Sequence, residues 1–182
     1  MPPLGVVGHF IIGRSGKSDI QLTEPAKQFI VLEAKMFSPL SPGVRNAPYY
    51  DQAARTVGCM CEVLRLSNVE PDSFDVLAFH VIAPKEQIDK GVFTKQLRLE
   101  SISEKVRRRI GEYNSGERVA WLRCHFGPFI RIISVGCISW EDVISYIGKH
   151  DSSFAAGLSR FYLRCKVESQ KISVTGAPSS LS

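Results

Sequence analysis

The pattern with the clearest chemical potential is a glutamate and a lysine inside the apolar segment 29–36, Phe-Ile-Val-Leu-Glu-Ala-Lys-Met. Large apolar and β-branched residues at this length are typical of a buried strand. Because successive side chains of a strand point to opposite faces, Glu33 and Lys35 lie on the same face. Charges are costly to remove from water, so the two residues form either a paired, buried ion pair near a sheet edge or a functional site.

A second carboxylate stands upstream. Asp19 follows a glycine-containing turn and begins the segment 19–22, which reads as a short strand. A hairpin between the two strands would bring Asp19 beside Glu33 on one face. Two carboxylates form a hard oxygen site suited to Mg²⁺, and the neighbouring amine of Lys35 is suited to orient an attacking hydroxide. Arg14 and Lys17 in the turn either contact a substrate phosphate or form an exposed basic turn.

Asp19 is followed, after a spacer of 13 residues, by Glu33-Ala34-Lys35. This pattern resembles that of the PD-(D/E)xK phosphodiesterase superfamily, which includes restriction-endonuclease-like nucleases, over residues 6–84. The resemblance implies an α/β fold with a mixed four-stranded sheet flanked by helices. It also implies a Mg²⁺-dependent deoxyribonuclease, with Mn²⁺ as the alternative ion. The ion would be held by Asp19, Glu33 and the carbonyl of Ala34, and Lys35 would orient or help deprotonate the attacking water.

The resemblance also assigns a place to Gln52, because many members carry a glutamine near the active site on the helix after the lysine. The best-known variant has a tyrosine four residues later, where this chain has Thr56. Gln52 is therefore either a site residue or part of a solvated helix flank. Some members draw a further acidic ligand from a helix before the first strand. Only residues 1–5 precede that strand here, so either the chain is truncated or a later helix covers this face.

Apolar periodicity predicts the remaining elements. An apolar stripe after Pro48 predicts a core-facing helix, with buried positions at Tyr50, Ala53, Ala54, Val57, Cys61 and Leu64. The predicted core strands are 6–12, 19–22, 29–36 and 74–83. In the second half we expect additional strands at 119–125 and 129–138, joined by a turn at Gly127-Pro128. We also expect helices beginning at Ser101 and Ser139, and a last helix over 153–165.

Length and composition predict a single domain over residues 1–167, followed by a flexible Ser-rich tail over 168–182. No apolar run approaches the roughly 20 residues that span a bilayer, and the N-terminus has no secretory signal pattern. The five cysteines are an odd number in a mostly apolar setting, which favours reduced thiols. We therefore expect an intracellular, cytoplasmic protein that does not contact a membrane.

The net charge of +5 is unevenly distributed. Residues 92–182 carry fourteen basic and eight acidic side chains, whereas residues 1–91 carry nine and ten. A basic half suits a polyanionic partner, and we expect Arg107, Arg108 and Arg109 either to grip DNA phosphates or to form a solvated helix face. The alternative function is a catalytically inactive DNA-binding or protein-interaction module. A homo-oligomer, or a partner subunit that supplies DNA binding or a missing ligand, is a further possibility.

Overall fold

A four-stranded mixed sheet forms the centre of the protein. The computed structural model describes residues 4–12, 20–23, 26–113 and 115–175. The strands in these ranges are β1 (Leu4–Gly8), β2 (Phe10–Ile12), β3 (Ile20–Leu22), β4 (Gln28–Ala34), β5 (Val76–Ala83) and β6 (Ser134–Ser139). The main sheet has the order β1-β4-β5-β6, with β1 antiparallel to β4 and the other pairs parallel. β2 and β3 form a separate antiparallel ladder.

Helices flank this sheet, which confirms the predicted α/β class. The α-helices of the described chain are α1 (Gln52–Leu66), α2 (Lys85–Asp89), α3 (Leu99–Gly111), α4 (Gly116–Trp121), α5 (Gly127–Ile132), α6 (Trp140–Gly148) and α7 (Ser152–Thr175). A 3-10 turn at Pro71–Ser73 precedes β5, and a π-helical segment at Leu122–Phe126 joins α4 to α5. In the part of the chain that the structure describes, no helix is both long enough and apolar enough to cross a membrane.

The burial of the central strands follows their position in the sheet. β5 lies between two parallel neighbours, and all of its residues except Val76 and His80 are buried. On β4 the buried positions alternate, so that Phe29, Val31 and Glu33 share the face that joins the core. The predicted stripe on α1 packs into the same core. The alternation therefore places Glu33 at a core position.

The amino-terminal strands pair differently from the predicted hairpin between 19–22 and 29–36. Ile20 lies opposite Ile12 on β2, whereas Glu33 lies opposite Leu4 on β1. β1 and β2 are separated by one residue, and each of them takes a different part of the returning chain as its partner. β3 is therefore not a neighbour of β4.

The two strands predicted over 119–125 and 129–138 were wrong over most of their length, because residues 116–132 are helical. The physical reason is a helical repeat of buried side chains at Phe126, Phe129 and Ile133, three and four residues apart. Gly127-Pro128 lies inside this helical run and not in a turn. Because Pro128 has no amide hydrogen, it removes a helical hydrogen bond, and the widened π-helical turn lies directly before it.

Two of the three helices predicted in the second half have boundaries that differ from the predictions. α3 begins two residues before Ser101 and has no side-chain cap, so the predicted capping box does not form. α6 begins as expected after Ser139, whose hydroxyl accepts a hydrogen bond from the amide of Asp142. α7 (Ser152–Thr175) is longer than the helix predicted over 153–165, and it extends into the segment 168–182 that was predicted to be a tail.

His80 generates a prediction about pH. Its ring lies, half-buried, on the face of β5 opposite Phe79 and Val81, and its Nδ1 is buried with no hydrogen-bond partner among the described residues. Burial lowers the pKa of His80 below its ordinary value of 6.5, because desolvation disfavours the charged ring. The contribution of the neutral His80 ring to the free energy of unfolding is fully present above pH 6.5. It is lost as the pH falls through the folded-state pKa, because the unfolded state takes up the proton more readily. Between about pH 7.5 and pH 5.5, the thermal midpoint of the wild type should therefore fall further than that of His80→Gln. Equal falls would contradict the assignment.

Candidate active site

The site is built at the carboxyl end of β4. Lys35 follows the last residue of the strand, and its amide donates a hydrogen bond to the carbonyl of Ile82 on β5 at 2.8 Å. Its own carbonyl accepts a hydrogen bond from the indole Nε1 of Trp140, the first residue of α6, at 3.0 Å. Hydrogen bonds from the backbone of Lys35 to β5 and α6 thus fix the position of its Cα atom.

The predicted pair forms in the interior. Lys35 Nζ lies 3.3 Å from Glu33 Oε1, and the two side chains are 3% and 1% exposed. This approach is close enough for an ion pair but does not form a hydrogen bond, and Glu33 Oε1 is buried without a hydrogen-bond partner in the described structure. Buried carboxylate oxygens normally have such a partner. The carboxylate therefore retains accepting capacity that the described chain does not use.

Gln52 joins the pair from the first turn of α1. Its Oε1 accepts hydrogen bonds from Lys35 Nζ and from the amide of Ser41, each at 3.0 Å. The backbone N–H of Gln52 donates a hydrogen bond to the carbonyl of Ser41 at 2.9 Å, so backbone and side chain of the glutamine are both tied to Ser41. Gln52 is thus held in a polar cluster with Glu33 and Lys35, and does not lie on a solvated flank.

The conformation of the loop between β4 and α1 places the backbone of Ser41 next to Gln52. The amide of Gly43 donates to the carbonyl of Pro48 at 3.0 Å, which closes the loop on itself. A Cβ at position 43 would lie 1.8 Å from the carbonyl oxygen of Ala47, so only glycine permits this approach.

Sequence reasoning missed Asp51, which is the N-cap of α1 and is 5% exposed. Its Oδ1 accepts from the amide of Ala54 at 3.1 Å, and its Oδ2 lies 2.7 Å from Lys105 Nζ on α3. Gln96 Nε2 adds a longer contact to Oδ2 at 3.4 Å. An aspartate directly before the first turn of a predicted helix is a capping signal that was present in the sequence. Its ion pair with Lys105 has no local signature.

The predicted DNA-binding arginines of α3 have different surroundings. Arg108 lies 3.8 Å above the ring of Tyr49, whose hydroxyl donates to Glu112. Arg109 forms an ion pair with Glu112 at 2.7 Å and lies over the ring of Tyr113. Arg107 is exposed and has no such contact among the described residues. Of the three, Arg107 is the one that has neither an ion pair nor a ring contact among the described residues.

Several predicted site residues fall outside the described part of the chain, namely Asp19, Arg14 and Lys17. Ala34, predicted to offer its carbonyl to a metal, is the last residue of β4, between Glu33 and Lys35. Within the described residues, no group of three or more histidine, cysteine, aspartate or glutamate side chains is placed to hold a metal ion. Glu33 is the only predicted side-chain metal ligand that these residues contain.

A scan against protein-family models found no matching family, and searches of the curated proteins and of the solved structures found no match.

The chemistry open to this cluster is set by one carboxylate, one amine and one fixed amide. Glu33 can accept a hydrogen bond or bind a cation through Oε1, and Lys35 can donate to an anion or to a water molecule. Gln52 accepts from the amine and so directs one of its three N–H bonds, which leaves the others to face Glu33 and a further group.

A double-mutant cycle tests the energetics of the pair. Lys35→Met leaves Glu33 as an uncompensated buried charge, so it should lower the free energy of unfolding by about 3–5 kcal/mol. The double variant Glu33→Gln/Lys35→Met should recover much of that loss, because neither charge remains. Urea denaturation of the four proteins measures this coupling. Losses that simply add would contradict a buried, mutually dependent pair.

Proposed function

We propose that this protein is a metal-dependent nuclease that hydrolyses phosphodiester bonds in DNA. The observation that carries the proposal is the buried Oε1 of Glu33, which accepts no hydrogen bond from the described residues and lies beside an amine that Gln52 holds in place. A carboxylate oxygen with unused lone pairs is the kind of ligand that Mg²⁺ takes in proteins. The predicted glutamate, lysine and glutamine, from two separate segments, meet at this point.

The donor set fits a hard divalent cation in part. Glu33 would supply one ligand, and Asp19 and the carbonyl of Ala34 would supply others, as the motif resemblance implies. The bound ion would neutralise charge on the phosphate and favour hydroxide at neutral pH.

The residues of the chain have separate tasks in this reaction. Lys35 would donate to the attacking water oxygen or to a phosphate oxygen, and so hold the nucleophile in line with the bond that breaks. The water oxygen bonds to phosphorus, its proton passes to solvent, and the P–O bond to the leaving oxygen breaks. That oxygen takes a proton from another water molecule. Gln52 would keep the Lys35 amine directed to the phosphate.

A second function is favoured by the near-complete burial of the pair. Side chains that are 1% and 3% exposed meet water only if covering groups move. A module that binds DNA or protein without cleaving it would use the pair only to stabilise the sheet. The two functions differ in metal dependence and in the effect of Glu33→Gln.

Cleavage assays separate these functions. With plasmid and linear duplex DNA, the wild type should cut in Mg²⁺ or Mn²⁺ and not in EDTA. Glu33→Gln should lower the rate by about 10²-fold or more, the loss seen when a group that stabilises the transition state is removed. Glu104→Gln, an exposed glutamate on α3, is the matched control and should cut normally. If folded Glu33→Gln cuts at the normal rate, the nuclease proposal is wrong.

Salt dependence tests the basic surface. Each phosphate contact contributes about −0.9 to the slope of log K against log salt concentration on duplex DNA. Arg107→Ala should reduce the magnitude of the slope by roughly one contact, because this guanidinium is exposed. Arg160→Ala, an exposed arginine on α7, whose main contacts are with α6, is the control. An unchanged slope for Arg107→Ala would make this residue part of an ordinary solvated face.

A further inference from the structure

A groove of about 610 Å³ lies on the side of α1 that faces α3, α4 and the π-helical segment. We call it the α1–α4 groove; its walls include Tyr50, Gly58, Glu62, Arg118 and Trp121. A volume of this size is typical of sites that hold small organic ligands. Glu33, Ala34, Lys35 and Gln52, the described residues proposed for the nuclease reaction, do not line it.

An aromatic ring is fixed at the base of the groove. Trp121 stacks on Phe126 with ring centroids 5.6 Å apart and planes 21° apart. Phe126 is 1% exposed and covers one face of the indole, whereas Trp121 is half-buried and borders the groove. One face of the indole is thus occupied by Phe126, while part of the Trp121 side chain borders the groove.

The orientation of this indole is fixed by a charged partner. Trp121 Nε1 donates to Glu62 Oε2 at 2.9 Å, and Arg65 donates to both oxygens of the same carboxylate at 2.8 and 2.6 Å. The hydrogen bonds from Arg65 hold the pKa of Glu62 below its ordinary value, so the acceptor is ionised at neutral pH. The pairing also neutralises the charge of this wall.

A cation lies one helical turn from the ring. Arg118 precedes Trp121 by three residues on α4, and both side chains border the groove. Its guanidinium carbon lies 3.9 Å from the centroid of the Tyr113 ring. Stacking uses the face of a guanidinium and leaves its N–H edge free to bind a phosphate with two parallel hydrogen bonds. No carboxylate among the described residues forms an ion pair with Arg118.

A hydroxyl group completes the set. Tyr50 Oη lies close to the backbone of α1 at Gly58, where a Cβ would be only 2.8 Å away. It has no hydrogen-bond partner among the described residues, and burial raises the pKa of Tyr50 to about 12. The hydroxyl therefore keeps its proton and can donate or accept at the edge of a bound base.

We infer that the α1–α4 groove binds a nucleotide. The base stacks on the face of Trp121 that Phe126 does not cover, the hydroxyl of Tyr50 meets the edge of the base, and the phosphate binds Arg118. The adjoining π-helical segment agrees with this inference, because such segments occur frequently at functional sites. The ligand is either a free nucleotide or one unit of a single-stranded nucleic acid. The inference stands independently of the nuclease proposal.

Titration calorimetry with AMP, ribose 5-phosphate and a single-stranded deoxyadenosine decamer tests the inference. AMP should bind and ribose 5-phosphate should bind at least about tenfold more weakly, since stacking of one base is worth roughly a factor of ten or more. Trp121→Leu and Arg118→Ala should each weaken AMP binding by about tenfold. Arg123→Ala, an exposed arginine of the π-helical segment that does not line the groove, is the matched control.

Fluorescence supplies a second readout that does not depend on Trp121→Leu being folded. AMP should quench the emission of the wild type, whereas Trp121→Phe should keep the affinity within a few-fold and lose the quenching. A decamer that binds more tightly than AMP and competes with it identifies a single strand as the ligand, and a decamer that fails to bind identifies the free nucleotide. Failure of AMP and the decamer to bind, or equal binding of ribose 5-phosphate, would overturn the inference. Glu33→Gln should bind AMP normally, so failure of the groove and failure of the nuclease proposal are distinguishable.

Discussion

Two opposite charges are withdrawn from water at the end of a central strand, and the surrounding polar contacts compensate them. Removing each ion from water costs several kcal/mol, which the attraction between Glu33 and Lys35 offsets only with help from further hydrogen bonds. Gln52 provides that help to the amine, and Ser41 orients Gln52. Glu33 Oε1 receives no comparable bond in the described structure. The amine thus has a hydrogen-bond partner, whereas the carboxylate oxygen that faces it has none among the described residues, and a bound cation would supply the missing partner.

The start of α1 connects this pair to the basic helix α3. Asp51 caps α1 through the amide of Ala54 and is held by Lys105 of α3, while the next residue, Gln52, contacts Lys35. Because the cap and the ion pair fix the first turn of α1, they also fix the side chain that orients the amine. A phosphate bound on α3 would therefore lie on the element that positions Gln52. Asp51 and Lys105 act as positioning residues in this arrangement.

Much of the core could be predicted from the sequence, because it depends on local periodicity. The strand at 29–36, the strand ending before Pro84 and the stripe of α1 each have an apolar repeat that only one element satisfies. The strand predictions over residues 119–132 were wrong, because β-branched and aromatic residues also form a helix when buried side chains recur every three or four residues. The predicted strand pairing was wrong for another reason. Whether β1 or β3 lies beside β4 depends on contacts between residues distant in sequence, which local patterns do not show. The Asp51–Lys105 pair, 54 residues apart, was invisible for the same reason.

The central claim is that Glu33 Oε1, which accepts no hydrogen bond from the described residues, belongs to a cation site, and binding of Mn²⁺ tests this claim most directly. Electron paramagnetic resonance of free Mn²⁺, titrated with wild-type protein and with Glu33→Gln, reports binding without requiring catalysis. The account predicts saturable binding by the wild type that is weakened at least about tenfold in Glu33→Gln, the loss expected when one charged ligand becomes neutral. Equal binding by the two proteins, or no binding by the wild type, would contradict it.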